Sequence, residues 1–340
     1  MNNINILAIE SSCDDTSAAV LCNGVLKSNV NANQSVHSKY GGVVPELASR
    51  AHQANIIPVV DLALKEAGIK ISEISAVAFT QGPGLLGSLL VGTSFAKGIS
   101  LARNIPIIGV NHLQGHVAAL FISENNETEI KPVFPFLTLL VSGGHTQILS
   151  VSSLSEIKII GNTIDDAAGE AFDKCAKILG LEYPGGPLVD KLAQKGDKLK
   201  FKFTKPKVGG LDFSFSGLKT AFMYFIRDNI KVNENFISEN LNDICASLQH
   251  TIVEILLDKL KQAVDITGIR EIAVAGGVSA NSGLRNGLME FAQKHNLKLH
   301  IPKFKFTTDN AGMIAQIGYL RFLEGKFDNQ SIVPLTRMSL

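Results

Sequence analysis

Cysteine is scarce in this sequence. Cys13, Cys22, Cys175 and Cys245 are the four among 340 residues, and no two stand in a CxxC or finger-like spacing. That argues against a disulfide framework and a structural zinc finger, and it predicts a reducing compartment. No apolar run approaches the roughly 20 residues needed to cross a bilayer. The first apolar stretch is interrupted by Glu10 and has no basic segment before it, so no signal peptide is expected. Charge of one sign is also lacking: 32 basic and 31 acidic side chains give a net charge of +1. Attraction to nucleic acid or membrane must then be local. The expectation is a cytoplasmic protein without a membrane partner.

What is present is a large apolar fraction, 45% of 340 residues, ample for two buried cores. Residues 4–9 read as a strand, 10–16 as a polar turn and 17–25 as a returning strand. Pro45 opens a helix, which Pro58 splits or restarts. A strand at 74–79 leads into the Gly-rich turn Gly82-Pro83-Gly84 with Gly87, then a helix over 89–102, a strand at 105–110 and a helix carrying His112. Residues 123–131 are polar and aperiodic, and the domain boundary is expected there. The order then repeats. A strand at 136–141, the turn Ser142-Gly143-Gly144-His145-Thr146 and a returning strand precede helices near 165–179 and 240–265. A strand at 272–275, the turn Gly276-Gly277-Val278-Ser279-Ala280-Asn281 into a helix, a strand at 297–301 and a last helix over 309–323 follow. This pattern predicts duplicated α/β lobes, 1–125 and 132–340, the second with helical insertions around 165–265.

In such sheets ligands sit beyond the carboxyl ends of strands. His112 and His116 lie four apart at a helix start capped by Asn111, so both imidazoles face one way. Spacing alone also suits two ordinary surface or core residues. Under the repeat, Asp309 begins the equivalent helix of the second half and would face them across a cleft. Two imidazoles and one carboxylate suit Zn²⁺ or Fe²⁺, although Asp before a helix is commonly just a cap. The glycines of the two Gly turns leave room for a phosphate beside backbone N–H groups. Asp166, Glu170 and Asp173 fall on one helical face, which a Glu170–Lys174 pair would equally explain as solvated. Lys195, Lys198, Lys200, Lys202, Lys205 and Lys207, with Phe201 and Phe203 among them, form one basic stretch. Lys294, Lys298, Lys303 and Lys305 form another. Either serves RNA phosphates or solubility.

The segments IESSCDDT, YGGVVPELASRAH, GPGLLGSLLVG, NHLQGHVAA, LLVSGGHTQI, DDAAGEAFDKCAKILGLEYPGGP, LDFSFSGLKTA, AGGVSAN and TTDNAGMIA occur in that order along nearly the whole chain. In these the sequence resembles the tRNA threonylcarbamoyladenosine transferase family TsaD, formerly described as O-sialoglycoprotein endopeptidases. The resemblance implies the actin/Hsp70/sugar-kinase (RNase H-like) architecture with a central cleft. It implies transfer of a threonylcarbamoyl group from threonylcarbamoyl-AMP to N6 of adenosine 37 in tRNAs reading codons that begin with A. It implies one divalent metal on His112, His116 and Asp309, Fe²⁺ before Zn²⁺. Leu140, Val141, Ser142, Gly143, Gly144, Asp173, Gly186, Asp190 and Asn281 match the positions that hold the adenylate. The implied partners are tRNA, a paralogous TsaB-type subunit and a TsaE-type small ATPase.

The chain departs from the family pattern at Ala311-Gly312, which relatives read in the reverse order, and at Ser11 and Asp15, where many have Thr and Glu. A general base is not evident, and Glu10, Asp14 and Asp15 in the first turn are the candidates. Two other functions compete. A metal-dependent glycoprotein endopeptidase would want a glutamate beside the first histidine, where Leu113 stands. A non-catalytic ATP-binding scaffold has no use for the His–His–Asp set.

Overall fold

The computed structural model describes residues 3–34, 37, 40–124 and 130–340. They form two compact units, Met1–Lys131 with Lys303–Leu340, and Pro132–Pro302. The expected boundary at 123–131 falls largely on 125–129, outside the described residues.

In the first unit β1 (Asn5–Glu10), β2 (Thr16–Cys22) and β3 (Val25–Ala32) form an antiparallel meander, and β4 (Ala76–Gly82) and β5 (Ile107–Asn111) add parallel to β1. The sheet order is β3-β2-β1-β4-β5. All six residues of β1 are buried, as expected of a central strand covered on both faces. Leu7 and Ile9 join the core formed with α1 (Pro45–Ala67) and the helix α2 (Leu86–Arg103). Pro58 lies within α1 without ending it: Ile56, Val59, Val60 and Ala63 are buried against the core, and that packing outweighs the one lost backbone bond. Helix α3 (His112–Ala118) follows β5 directly.

The second unit repeats the sheet. Strands β6 (Phe136–Val141), β7 (Thr146–Ser153) and β8 (Glu156–Asn162) form the meander, and β9 (Glu271–Ala275) and β10 (Lys298–His300) add in parallel, in the order β8-β7-β6-β9-β10. Between β8 and β9 lie α4 (Ala168–Ile178), α5 (Gly185–Ala193), α6 (Ser216–Val232) and α7 (Phe236–Thr267), and α8 (Ser282–His295) joins β9 to β10. The duplicated α/β architecture expected from the sequence is present at the level of strand order and direction.

One assignment needs correction. The last helix, α9 (Ala311–Leu323), and all of 303–340 belong to the first unit rather than to a C-terminal lobe over 132–340. Ala311 to Gly318 are all buried, and an apolar helix must be covered wherever it lies. It packs on the face of the first sheet opposite α1. A Cβ on Gly318 would stand 2.5 Å from Ala78 Cβ and 3.2 Å from Ile6 Cγ2, so the helix rests almost on the strands. Its first N–H groups go to Ser17 Oγ, Asn29 Oδ1 and the Asn310 cap, which pins its start to β2 and β3.

Candidate metal centre

Because α9 returns to the first unit, the carboxylate that was expected on an opposite wall comes from the same unit as the histidines. Asn111 caps α3 by accepting from Leu113 N at 2.9 Å and Gln114 N at 3.2 Å, which sets His112 in the first turn and His116 one turn later. The rings are 4.6 Å apart at 81°. Gly115 lets α3 close on α9, since a Cβ there would lie 3.1 Å from both Met313 and Ile314 side-chain atoms. Asp309 is not the cap of α9. Asn310 does that work through Met313 N, leaving the Asp309 carboxylate free to turn toward α3.

Asp309 Oδ1 lies 3.4 Å from His112 Nε2 and 3.3 Å from His116 Nε2. Ligand atoms about 2.1 Å from one cation, at angles of about 90–110°, stand about 3.0–3.4 Å from each other. His112 and His116 are buried, and among the described residues neither nitrogen of His116 has a hydrogen-bond partner apart from the Asp309 carboxylate beside Nε2. A buried imidazole with one carboxylate nearby and no other partner is costly unless something else fills the position. These three side chains are the one such ligand group among the described residues, and a divalent cation fits them.

The surroundings of His112 point the same way. Its Nδ1 donates to Glu10 Oε2 at 3.1 Å, with Ser12 Oγ at 3.2 Å. In the neutral ring that bond leaves Nε2 unprotonated and aimed at Asp309, the arrangement by which a carboxylate orients a metal-binding histidine. Glu10 is fully buried; its Oε1 accepts from Ser12 N at 2.6 Å and its Oε2 also from Thr80 Oγ1. Glu10 thereby ties the loop to the ring.

Burial opposes charge on His112, yet Asp309 and Glu10 outweigh it and hold the imidazole well above its usual pKa. Burial likewise opposes the Asp309 and Glu10 carboxylates, but His112 outweighs it and both are held below their ordinary values. Burial lowers His116, and the neighbouring His112 charge lowers it further. With no metal ion bound, a proton on His112 occupies the place of a cation between two carboxylates. Asp15 behaves differently: burial, then Asp14, Asp309 and Glu10, push it up to about 7.

The loop of residues 11–16 is held from several sides. His52, fully buried, bridges Thr16 Oγ1 at 2.8 Å and Cys13 O at 3.0 Å. Leu85 N donates to Ser12 O at 2.8 Å. A Cβ on Gly84 would overlap Ser12 O, and one on Gly92 would overlap Ser11 Oγ. Gly84 and Gly92 of GPGLLGSLLVG are thus required by close packing on this loop. The contribution of His52 was not legible in sequence, because nothing local distinguishes it from any helical histidine.

The expected adenylate residues lie in the second unit. Leu140 and Val141 end β6, and Ser142 to Gly144 form a tight turn closed by Ser142 N donating to His145 O at 2.8 Å. A Cβ on Gly143, Gly144 or Gly277 would meet nothing within 4 Å, so packing does not explain these glycines. Asp173 Oδ1 accepts from Gly185 N at 2.8 Å and Gly186 N at 3.1 Å, binding α4 to the start of α5. Burial raises its pKa despite those two bonds. Asp190 accepts from Ser282 N and from Ser282 Oγ at 2.7 Å. Asn281 caps α8 through Leu284 N and donates to Gln249 Oε1 at 2.7 Å. These three side chains tie loops together.

The basic stretches are partly neutralised. Lys200 pairs with Asp243, Lys205 with Glu254 and Asp258, and both Lys303 and Lys305 with Glu124. Phe201 packs on Phe225 and Phe236, and Phe203 on Phe222 and Phe225. Those rings serve the second core. No described helix is long and apolar enough to cross a membrane.

Comparison with known proteins supplies the family. The model of the family described as TsaD, tRNA N6-adenosine threonylcarbamoyltransferase, matches residues 24–316. The chain is 60% identical over 334 residues to the tRNA N6-adenosine threonylcarbamoyltransferase of Christiangramia forsetii, covering 98% of each. It is 58% identical over 337 residues to that of Porphyromonas gingivalis, covering 99% of each. In fold it is similar to T. kodakarensis HypF, with a TM-score of 0.59 at 13% identity over 97% of this chain and 49% of that one. It is similar too to component A of the Acidaminococcus fermentans (R)-2-hydroxyglutaryl-CoA dehydratase, with a TM-score of 0.53 at 14% identity over 94% and 98%. These likenesses carry the actin-like duplicated fold and nothing more. With a family model spanning most of its length and such relatives matched nearly end to end, this chain belongs to the tRNA N6-adenosine threonylcarbamoyltransferase family.

Proposed function

We propose that the chain transfers the threonylcarbamoyl group of threonylcarbamoyl-AMP to N6 of adenosine 37 in tRNAs reading codons that begin with A. The observation that carries this, beside family membership, is the convergence of His112, His116 and Asp309 on one point with His116 otherwise unpartnered. The donor is a mixed carboxylic–phosphoric anhydride. N6 attacks its carbonyl carbon, a C–N bond forms, the C–O bond to the phosphate breaks, and AMP leaves as the amine loses a proton. His112, His116 and Asp309 would hold a divalent cation, Fe²⁺ before Zn²⁺, and it would supply positive charge to polarise the donor. Glu10 and Ser12 hold the His112 ring with Nε2 turned toward Asp309. The open backbone at Ser142–Gly144 and Gly276–Gly277 suits the phosphate of the adenylate. Asp173, Gly186, Asp190 and Asn281 support it by holding the surrounding loops. Of the first-turn carboxylates, Asp15, pushed up to about 7, suits the proton acceptor better than the committed Glu10 or its neighbour Asp14.

The partners are tRNA, a paralogous TsaB-type subunit and a TsaE-type small ATPase, and the setting is the cytoplasm. Peptidase chemistry is disfavoured by Leu113 at the position where a zinc peptidase places its glutamate base. The test is incubation with unmodified tRNA, labelled threonine, bicarbonate, ATP and a donor-forming enzyme. Label in the tRNA supports the transfer. Cleavage of a glycoprotein, or ATP turnover with neither product, overturns it.

A further inference from the structure

The chain beyond α9 forms neither helix nor full strand, yet it is bound along its length to β4 and β5. Strand β5 is an edge of the first sheet. Asp328 bridges it, its N donating to Ile107 O at 2.9 Å and its Oδ2 accepting from Gly109 N at 2.8 Å. Val333 O then accepts from Gln81 Nε2 at 3.0 Å, and Leu335 N donates to Gln81 O at 2.8 Å. Thr336 O accepts from Gly84 N at 3.3 Å. Ser339 O accepts from Asn111 Nδ2 at 3.0 Å.

Two glycines exist to admit this segment. A Cβ on Gly82 would overlap Leu335 O, and a Cβ on Gly109 would come 2.5 Å from Ile332 Cδ1. Covering an exposed edge needs only the contact at Asp328. The later contacts fall on the carboxyl ends of β4 and β5, at the corner from which α3 begins.

Asn111 is the junction. Its Oδ1 receives the first N–H groups of α3, and its Nδ2 is held by Ser339 O, so both ends of one amide are fixed. The next residue is His112.

We propose that residues 328–339 are a positioning strap for the metal centre: by holding Asn111 they set the turn that delivers His112 Nε2 toward Asp309. This rests on the metal reading above. Loss of the strap leaves every ligand present and misdirects one of them.

The test uses Co²⁺ added to the metal-free full chain, to Asn111→Ser and to a chain stopped after Pro334. Serine keeps the helix cap but does not reach Ser339. Affinity is read by competition with a chelator and coordination geometry by the visible Co²⁺ spectrum, with the unfolding temperature of each metal-free protein as control. Both variants are expected to bind Co²⁺ about 10–100-fold more weakly, the loss typical of removing an orienting partner, with altered band shape and little change in unfolding temperature. Affinity within about 2-fold of the intact chain and an unchanged spectrum in Asn111→Ser overturn the proposal. If the shortened chain fails to fold, Asn111→Ser decides alone. An intact chain that binds no Co²⁺ overturns the metal reading and the strap with it. One that binds Co²⁺ but transfers no threonylcarbamoyl group overturns only the reaction.

Discussion

At the scale of single residues, the site is a small set of buried charges whose balance a metal ion would reset. His116→Ala removes a ligand with no other partner, and metal content after purification without air is expected to fall at least about 100-fold together with transfer. Glu10→Gln keeps the shape but weakens the bond that selects the His112 tautomer, so metal affinity is expected to fall about 10–100-fold with the ligands intact. The pH dependence follows from the directions of the shifts. Without metal, the pKa of His112 is raised above the ordinary imidazole value of 6.5, so its stabilisation is complete below that value and is lost as pH rises through the raised pKa. Asp309 is lowered from 3.8, so its stabilisation is complete above 3.8 and is lost as pH falls through the lowered pKa. The cluster therefore supports the metal-free chain most strongly between 3.8 and 6.5. Metal must displace the His112 proton, so affinity is expected to climb with pH, up to about tenfold per unit, until the raised pKa is passed. Chelator competition at several pH values checks the slope. Asp15, pushed up from 3.8 to about 7, carries the opposite sign: folding binds its proton, and the stability it confers falls as pH rises between those values. Asp15→Asn is expected to raise the unfolding temperature of the metal-free chain by about 3 °C or more above pH 7, and by much less near pH 4.

At the scale of elements, the contact of α9 with the first sheet decides where Asp309 goes. Gly318→Ala places a methyl 2.5 Å from Ala78 Cβ. Denaturant unfolding is expected to show a loss of about 1–3 kcal/mol, the usual range for overpacking a close-packed core. Because the same helix follows directly from Asp309, metal affinity is expected to fall in parallel. A substitution that destabilises the second core, such as Phe222→Ala on α6, is expected to cost about 3–5 kcal/mol while leaving metal affinity unchanged.

At the scale of the whole molecule, the first unit is discontinuous in sequence and the second is one continuous segment, Pro132–Pro302, with its own core. Residues 132–302 expressed alone are expected to unfold cooperatively and to bind no metal. In the full chain, calorimetry is expected to resolve a transition that moves to higher temperature on metal binding, its unit stabilised by RT ln(1 + [M]/Kd), and one that does not move. A fragment 132–302 that stays unfolded, or a single transition wholly shifted by metal, would show that the units are not independently stable.

Sequence alone determined the elements whose signal is local. The alternation of strands and helices, the Gly turns, the Asn111 cap and the i, i+4 pair His112 and His116 all follow from periodicity and from residue types with few conformational choices. The edge strands β3 and β8 escaped because VLKSNVNA and EIKIIGN are too polar to mark a buried strand. Helices α5 and α6 lay in an insertion outside the repeat. Only the tertiary structure decided that α9 and the strap return to the first sheet, that Asp309 shares a unit with the histidines, and that Glu10 is held by Ser12, Thr80 and His112. A long connection costs little extra to close, so its destination is chosen by which uncovered sheet face its apolar helix fits. That is a property of surfaces assembled from distant parts of the chain, and no window of neighbouring residues contains it.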